Sequence, residues 1–325
     1  MKNWRGILVR LLISLGAIGF ILYSFRDKLA DAVGILRTEV RWEYFLIAVL
    51  TYFAGLCLLA VRLKIMLKVH RILLNFFESF YLGLVGLFFN LFLPSSVGGD
   101  VVKAYYAAKH SPGKKIQATT SIIMDRLMGF VALAILTMTA FAFYSRDNHD
   151  TQINKVIYLF LAGIALMLFF FLSPKSGDFL RLIGRILPVK IREKLAVLVD
   201  ALYEFKLHPG AMFSAVLISL ATQGFFIIVY FWLTKSLSVE IPLPTFFIII
   251  PILTVISMAP SLGGLGVREA GVIYLFSKYM PHERALALSL LLDMLIYGFS
   301  ISSGIIYSIR GGIKSAEVLS AGEGA

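Results

Sequence analysis

Apolar residues recur along the chain in about eight long runs separated by charged or turn-forming positions, and the runs are of two kinds. Leu11 to Phe25, Tyr44 to Val61, Gln117 to Tyr144, Val156 to Leu172, Ala211 to Thr234 and Ala285 to Ile309 read as helices that cross a bilayer, which takes roughly 20 residues at 1.5 Å of rise each. Phe76 to Leu93 and Leu243 to Met258 end differently. Each runs into a Pro/Gly-rich break, and the segments beyond, Asp100 to His110 and Val267 to Met280, are too short and too polar to cross alone. Two polar stretches keep a helical period. Arg26 to Glu43 carries Leu29, Val33, Leu36 and Val40, and Ser173 to Pro209 carries Leu180, Ile183, Leu187, Ile191, Leu195, Leu198 and Leu202, so both predict amphipathic helices lying on the membrane.

The two breaks resemble each other. Phe89 to Lys109 reads FNLFLPSSVGGDVVKAYYAAK and Ser257 to Gly271 reads SMAPSLGGLGVREAG. Pro260, Ser261, Gly263 and Gly264 repeat the Pro-Ser and Gly-Gly elements of Pro94, Ser95, Gly98 and Gly99 at nearly the same spacing. An internal repeat follows: one transmembrane domain over 1–325, with halves at about 1–150 and 151–312 and a polar tail at 313–325. The predicted fold class is an all-α polytopic membrane protein of about six full spans plus two re-entrant or broken hairpins in an inverted repeat.

Composition agrees with a membrane protein and excludes much else. With 59% apolar and only 15% charged residues in 325, the chain carries more apolar surface than one soluble core could hide. The net charge of +12 is spread between apolar spans rather than gathered on a soluble face, which points to anionic lipid headgroups and not to nucleic acid. The one cysteine, Cys57, lies in an apolar run, so there is no disulfide framework. Bases at Lys2, Arg5 and Arg10 precede the first run as in a signal peptide, but no small-residue cleavage site follows and the run reads as an uncleaved span. His70, His110, His149, His208 and His282 sit in or near connectors without metal-ligand spacing and read as surface residues. The GGLG at Gly263 to Gly266 lacks the strand context and the Lys-Ser/Thr ending of a nucleotide-binding loop, and neither a nucleophile elbow nor a zinc-protease signature occurs. The expectation is therefore no cofactor, no metal and no catalytic residue.

Charge distribution tests the hairpins. If every apolar run crosses, alternation puts the amino terminus and the seven-base stretch at 173–209 on opposite faces, against the positive-inside tendency. If both broken segments dip in and return, the basic connectors, among them Arg62, Lys64, Lys68 and Arg71, then Lys109, Lys114 and Lys115, all face the cytoplasm with both termini. The charge-balanced connectors at 26–43, 145–155 and 235–240 then face outward. The hairpins enter from opposite sides, as in the inverted repeats of many transporters.

Candidate binding residues lie at the breaks and in the spans after them. Backbone amides freed around Ser95, Gly98, Gly99 and Asp100 have to meet protein, ligand or water, and a helix starting there turns its positive end toward an anion such as phosphate. Asn90 precedes the break, and Lys103 is placed to pair with that anion or with Asp100 at i,i+3. In the second break Gly263, Gly264 and Gly266 take the same part, with Arg268 as a planar phosphate-matching cation beside Glu269. Asp125, Arg126 and Asp293 sit inside spans, where ionised groups are expensive and usually paired or functional. A purely structural ion pair of Arg126 with Asp125 or Asp293 is the competing reading. For Arg126 a headgroup-binding role is favoured, because a lipid phosphate passing through needs a cation inside the protein.

The segments NLFLPSSVGGDVVKAY and APSLGGLGVREAG, with the Asp125-Arg126 pair, resemble the transmembrane region of the lysylphosphatidylglycerol synthase family of flippase-like membrane proteins. The resemblance covers about residues 7 to 310 and carries over to Asn90, Pro94, Gly98, Gly99, Asp100, Asp125, Arg126, Pro260, Gly263, Gly264, Gly266 and Glu269. The family's first motif more often has an acidic residue and then an arginine after the glycines; Asp100 and Lys103 stand there here. In that family the membrane region is linked to moving an aminoacylated phospholipid between leaflets, and the soluble transferase domain of some members has no counterpart in this sequence. The implied activity is translocation in a prokaryotic cytoplasmic membrane, with membrane lipids, above all anionic phospholipid, as partners and a separate lipid-modifying enzyme as a possible one. Rival readings are a secondary transporter of a small anionic solute, a partner subunit of a synthase, and a membrane glycosyltransferase, for which only Asp27 and Asp31 offer outward carboxylates.

Overall fold

The structure, a computed structural model, describes residues 26–91, 98–144, 162–163, 199–257 and 266–310. Among these the chain is helical: α1 (Arg26–Thr38), α2 (Trp42–Val69), α3 (Phe76–Asn90), α4 (Gly98–His110), α5 (Lys115–Tyr144), α6 (Pro209–Ser236), α7 (Leu243–Ile256), α8 (Val267–Phe276) and α9 (His282–Arg310). Four helices, α2, α5, α6 and α9, are long and apolar enough to cross a membrane. The protein is a multi-pass integral membrane protein. The expected span at Leu11 to Phe25, all of Val156 to Leu172 but residues 162–163, most of the 173–209 stretch, and Pro94, Ser95, Pro260, Ser261, Gly263 and Gly264 lie outside the described residues.

The helices fall into two sets of like order and length. α2 and α6 have 28 residues each, α3 and α7 have 15 and 14, α4 and α8 have 13 and 10, α5 and α9 have 30 and 29. A helix of 14 or 15 residues is only about 22 Å long, short of a 30 Å hydrocarbon core, so α3 and α7 each need the helix that follows as a returning arm. α2 and α6 form the central interface, and each hairpin packs on the long helix after it and on the long helix of the other set: α3 against α9, α7 against α5.

Hydrogen bonds fix which ends lie together. At one end Lys114 Nζ donates to the carbonyls of His70 (3.2 Å) and Arg71 (3.1 Å), and His70 Nδ1 meets Glu204 Oε2 at 2.9 Å. The close of α2, the close of the α3–α4 hairpin and the approach to α6 therefore share one face. At the other end Arg41 N donates to Ser236 O (2.8 Å), and Arg284 donates to Leu237 O (3.1 Å) and Glu39 Oε2 (3.0 Å). The start of α2, the end of α6 and the start of α9 thus share the opposite face. It follows that α2 and α6 run antiparallel and that the hairpins enter from opposite faces.

Small residues allow the close crossings. Gly55 on α2 lies where a Cβ would meet the Phe226 ring of α6 at 2.7 Å, and a Cβ on Gly271 of α8 would meet Leu253 of α7 at 2.8 Å. Asn75 caps α3 by accepting from Glu78 N (2.8 Å) while Glu78 Oε2 accepts from Asn75 N (2.7 Å), a reciprocal cap that holds Glu78 at the helix start.

Three expectations change. Arg62 is not in a connector: α2 continues to Val69, and Arg62 is 4% exposed. Leu63, Met66 and Leu67 prolong the apolar period past the first base, and packing on α5 and α6 outweighs the cost of the charges. His70 is buried instead of on the surface, edge-on to Phe205 at 4.9 Å. Burial pushes its imidazole below the usual histidine range against the opposing pull of Glu204. On α1 Ala32 is buried while Val33 is exposed, because α1 packs along α9 and does not only lie on lipid.

Candidate functional site

Two polar clusters sit within the helices, each about two to four turns from the end at which its hairpin enters. In the first, Asp125 on α5 receives both arms of the Arg62 guanidinium: Nε to Oδ1 at 2.7 Å and Nη2 to Oδ2 at 2.9 Å. Arg62 Nη1 continues to Ser219 Oγ on α6 at 3.0 Å. Gln223, one turn along α6, donates to Gly129 O at 3.2 Å. A Cβ at Gly129 would lie 3.2 Å from Arg62 Nη1, so glycine leaves room for the guanidinium. Three long helices are thereby tied by one charge pair in bidentate geometry.

Next to it, Asp100 in the first turn of α4 accepts from Lys103 Nζ at 3.0 Å and from Arg126 Nε on α5. The expected i,i+3 pair is present. The pairing of Arg126 with Asp125 or Asp293 is not: Arg126 bonds Asp100, Asp125 bonds Arg62, and Asp293 bonds Arg268. Neighbouring residues on a helix point in directions about 100° apart, which sends Asp125 toward α2 and Arg126 toward α4. Nor is the amide of Gly99 offered to a ligand: it donates to Asn90 Oδ1 at 2.6 Å, where a Cβ would collide with the Gly86 carbonyl. Asn90 and Gly99 close the hairpin.

The second cluster lies on α8 and α9. Arg268 Nη2 donates to Glu269 Oε1 (3.0 Å), Asp293 Oδ1 (2.6 Å) and Tyr297 Oη (3.1 Å). Gly266, at φ 82°, takes the left-handed backbone that admits the chain into α8. The two clusters correspond: in each, a residue in the first turn of the returning helix bridges to the long helix that follows, Asp100 to Arg126 in one and Arg268 to Asp293 in the other, with the signs exchanged.

A cavity of about 460 Å³ occupies the centre. Arg62, Asp100, Lys103, Asp125 and Arg126 line it together with Tyr52 and Tyr230. A second hollow of about 680 Å³ lies between α4 and α5 on the apolar outer surface, running from Asp100 past Ala104, Tyr105 and Ile122 to Lys109 and Lys115. Val101 and Tyr105 along it are 66% and 62% exposed. Asp100 borders both spaces, so the Asp100–Arg126 ion pair stands between them.

A family model described as the lysylphosphatidylglycerol synthase TM region matches residues 7–304. The chain belongs to this family. Its breaks, the Asp125-Arg126 pair and both polar clusters all fall inside the matched range. A UPF0104 membrane protein of Methanocaldococcus jannaschii is 24% identical over 275 residues, covering 78% of this chain and 80% of that protein. No solved structure matches the chain. Among the described residues of this family member no group of three or more His, Cys, Asp or Glu is placed to hold a metal ion.

Arg62, Ser219, Gln223 and Tyr297 belong to the clusters but do not stand out in the chain. Arg62 is masked by the bases that follow it. For α6 a signal exists: Ser219, Thr222 and Gln223 put polar groups at i, i+3 and i+4 on one side of an otherwise apolar span.

Proposed function

We propose that this lysylphosphatidylglycerol synthase TM region protein translocates an anionic or aminoacylated phospholipid, or another lipid-linked phosphate, between the leaflets of a prokaryotic cytoplasmic membrane. The observation that carries the reading is the pair of spaces meeting at Asp100. The outer hollow is apolar along its length, with Lys109 and Lys115 at the end of α4 and the start of α5, which suits acyl chains below a headgroup. The central cavity has three cations and two carboxylates among the described residues lining it, and this excess of one positive charge complements a phosphodiester. A water-soluble anion would use the central cavity and has no need of the outer one, so the hollow favours a lipid over the solute-transport alternative.

Entry from lipid would exchange the Asp100–Arg126 contact for Arg126 and Lys103 on the phosphate, and alternation of the two opposed hairpins would carry the headgroup across. The protein moves its substrate without making or breaking a covalent bond in it; a separate lipid-modifying enzyme would supply or consume that lipid. The basic end, with Arg71, Lys114 and Lys115, faces the cytoplasm together with both termini.

The test is reconstitution in liposomes containing fluorescent phosphatidylglycerol, lysylphosphatidylglycerol or polyprenyl phosphate, read by quencher protection, with inorganic phosphate uptake in parallel. At least one lipid is expected to change leaflet, and Arg126→Ala to slow it roughly tenfold or more, the value of one charge-assisted hydrogen bond. Lipid transport absent under any gradient, with or without phosphate uptake, would overturn the proposal.

A further inference from the structure

In the α8–α9 cluster one guanidinium faces two carboxylates. Side chains of Arg268, Glu269 and Asp293 are 11%, 11% and 15% exposed, and Glu269 Oε2 and Arg268 Nε are buried without a hydrogen-bond partner. Among the described residues no second cation pairs with Glu269 or Asp293. The other titratable groups that act on Arg268 are the hydroxyls of Tyr297 on α9, Tyr230 on α6 and Tyr52 on α2, and α7 carries no titratable side chain between Leu243 and Ile256. Among the helices packed on α9, α3 has Glu78 held in its own cap, and α1 meets α9 near Arg284, which is bonded to Glu39. With both acids ionised the cluster carries an unbalanced negative charge inside the membrane, which is costly. The first cluster differs in this respect, since Asp125 has its own cation in Arg62 and Asp100 has two.

We propose that Glu269 and Asp293 share one bound proton at neutral pH, making the Arg268 cluster a proton-binding site. A proton taken from water onto one carboxyl oxygen leaves one carboxylate to balance Arg268. It also creates an O–H donor where an acceptor, Glu269 Oε2, has no partner. Both acids lie within hydrogen-bond reach of the same Arg268 nitrogen, so they converge closely enough for ionisation of one to oppose that of the other. Release of the proton restores the negative charge beside Tyr52 and Tyr230 of the central cavity lining, so proton binding on one face and release on the other would couple a pH gradient to the transport cycle. That coupling rests on the translocation reading; the presence of the proton does not.

Infrared spectroscopy of the full-length protein in lipid nanodiscs separates the two. At pH 7, where solvent-exposed carboxyls are ionised, the wild type is expected to show the C=O stretch of one protonated, deuterium-sensitive carboxylic acid, lost on raising the pH. Asp293→Asn and Glu269→Gln should each abolish it by leaving a one-to-one pair with Arg268, and Asp125→Asn should retain it. A wild-type spectrum without the band at pH 7 overturns the proposal whether or not any variant folds. So does a band that persists in both Asp293→Asn and Glu269→Gln.

Discussion

Neighbouring side chains on one helix are divided here between different partners. Asp125 and Arg126 are adjacent on α5, yet Asp125 closes onto Arg62 of α2 and Arg126 onto Asp100 of α4, so one residue locks the bundle and the other borders the cavity. The Arg62–Asp125 pair is the better candidate for a structural role, being bidentate and almost wholly buried. Arg62→Ala should destabilise the protein by about 3–5 kcal/mol, because it strands a carboxylate among apolar helices. Arg62→Leu combined with Asp125→Leu should recover most of that loss, since replacing both partners removes the unpaired charge. Denaturant unfolding in detergent micelles measures both, and equal losses for the single and double variants would contradict this account.

At the scale of elements, each hairpin depends on helices approaching without side chains between them. Gly99 lies against the Gly86 carbonyl and gives its amide to Asn90, so α4 can stay close to α3 only with hydrogen at that Cα. Gly99→Ala should cost roughly 1–3 kcal/mol through overpacking and shift α4 with its Asp100. Gly83→Ala, also on α3 but with open space around it, should be near neutral in the same unfolding assay. That α3 ends at Asn90 and that α8 starts only at Val267 was legible in the chain because proline and paired glycines together, at 94–99 and 260–264, disfavour helix far more than a lone proline such as Pro251 inside α7. The partner of the Gly99 amide was not, since Asn90 reaches it only when the chain has turned back on itself.

At the scale of the molecule, the two sets of helices are inverted, and the ends they share set the sidedness. Lys115 lies exposed at the end shared by α2, α4 and α5, while Glu240 lies exposed beyond α6 at the other. In a Cys57→Ser background, Glu240→Cys should react with a membrane-impermeant maleimide in intact cells and Lys115→Cys only after permeabilisation. Labelling of both from one side would contradict the inverted arrangement. Sign exchange accompanies the inversion: the cation-rich cluster belongs to one hairpin and the acid-rich cluster to the other, so the halves are alike in plan and unlike in what they can hold.

The chain by itself determined the helical membrane fold, the two short interrupted segments and the repeat between them, because these depend on run length, on where proline and glycine fall, and on which loops carry bases. These are local properties that any window of sequence exposes. The partners of the buried charges were decided only by the tertiary structure. Which of Arg62, Lys103, Arg126 and Arg268 meets which of Asp100, Asp125, Glu269 and Asp293 depends on the rotation of each helix about its axis and on which helices are neighbours. The packing of α2 on α6, and of each hairpin on the opposite set, sets both.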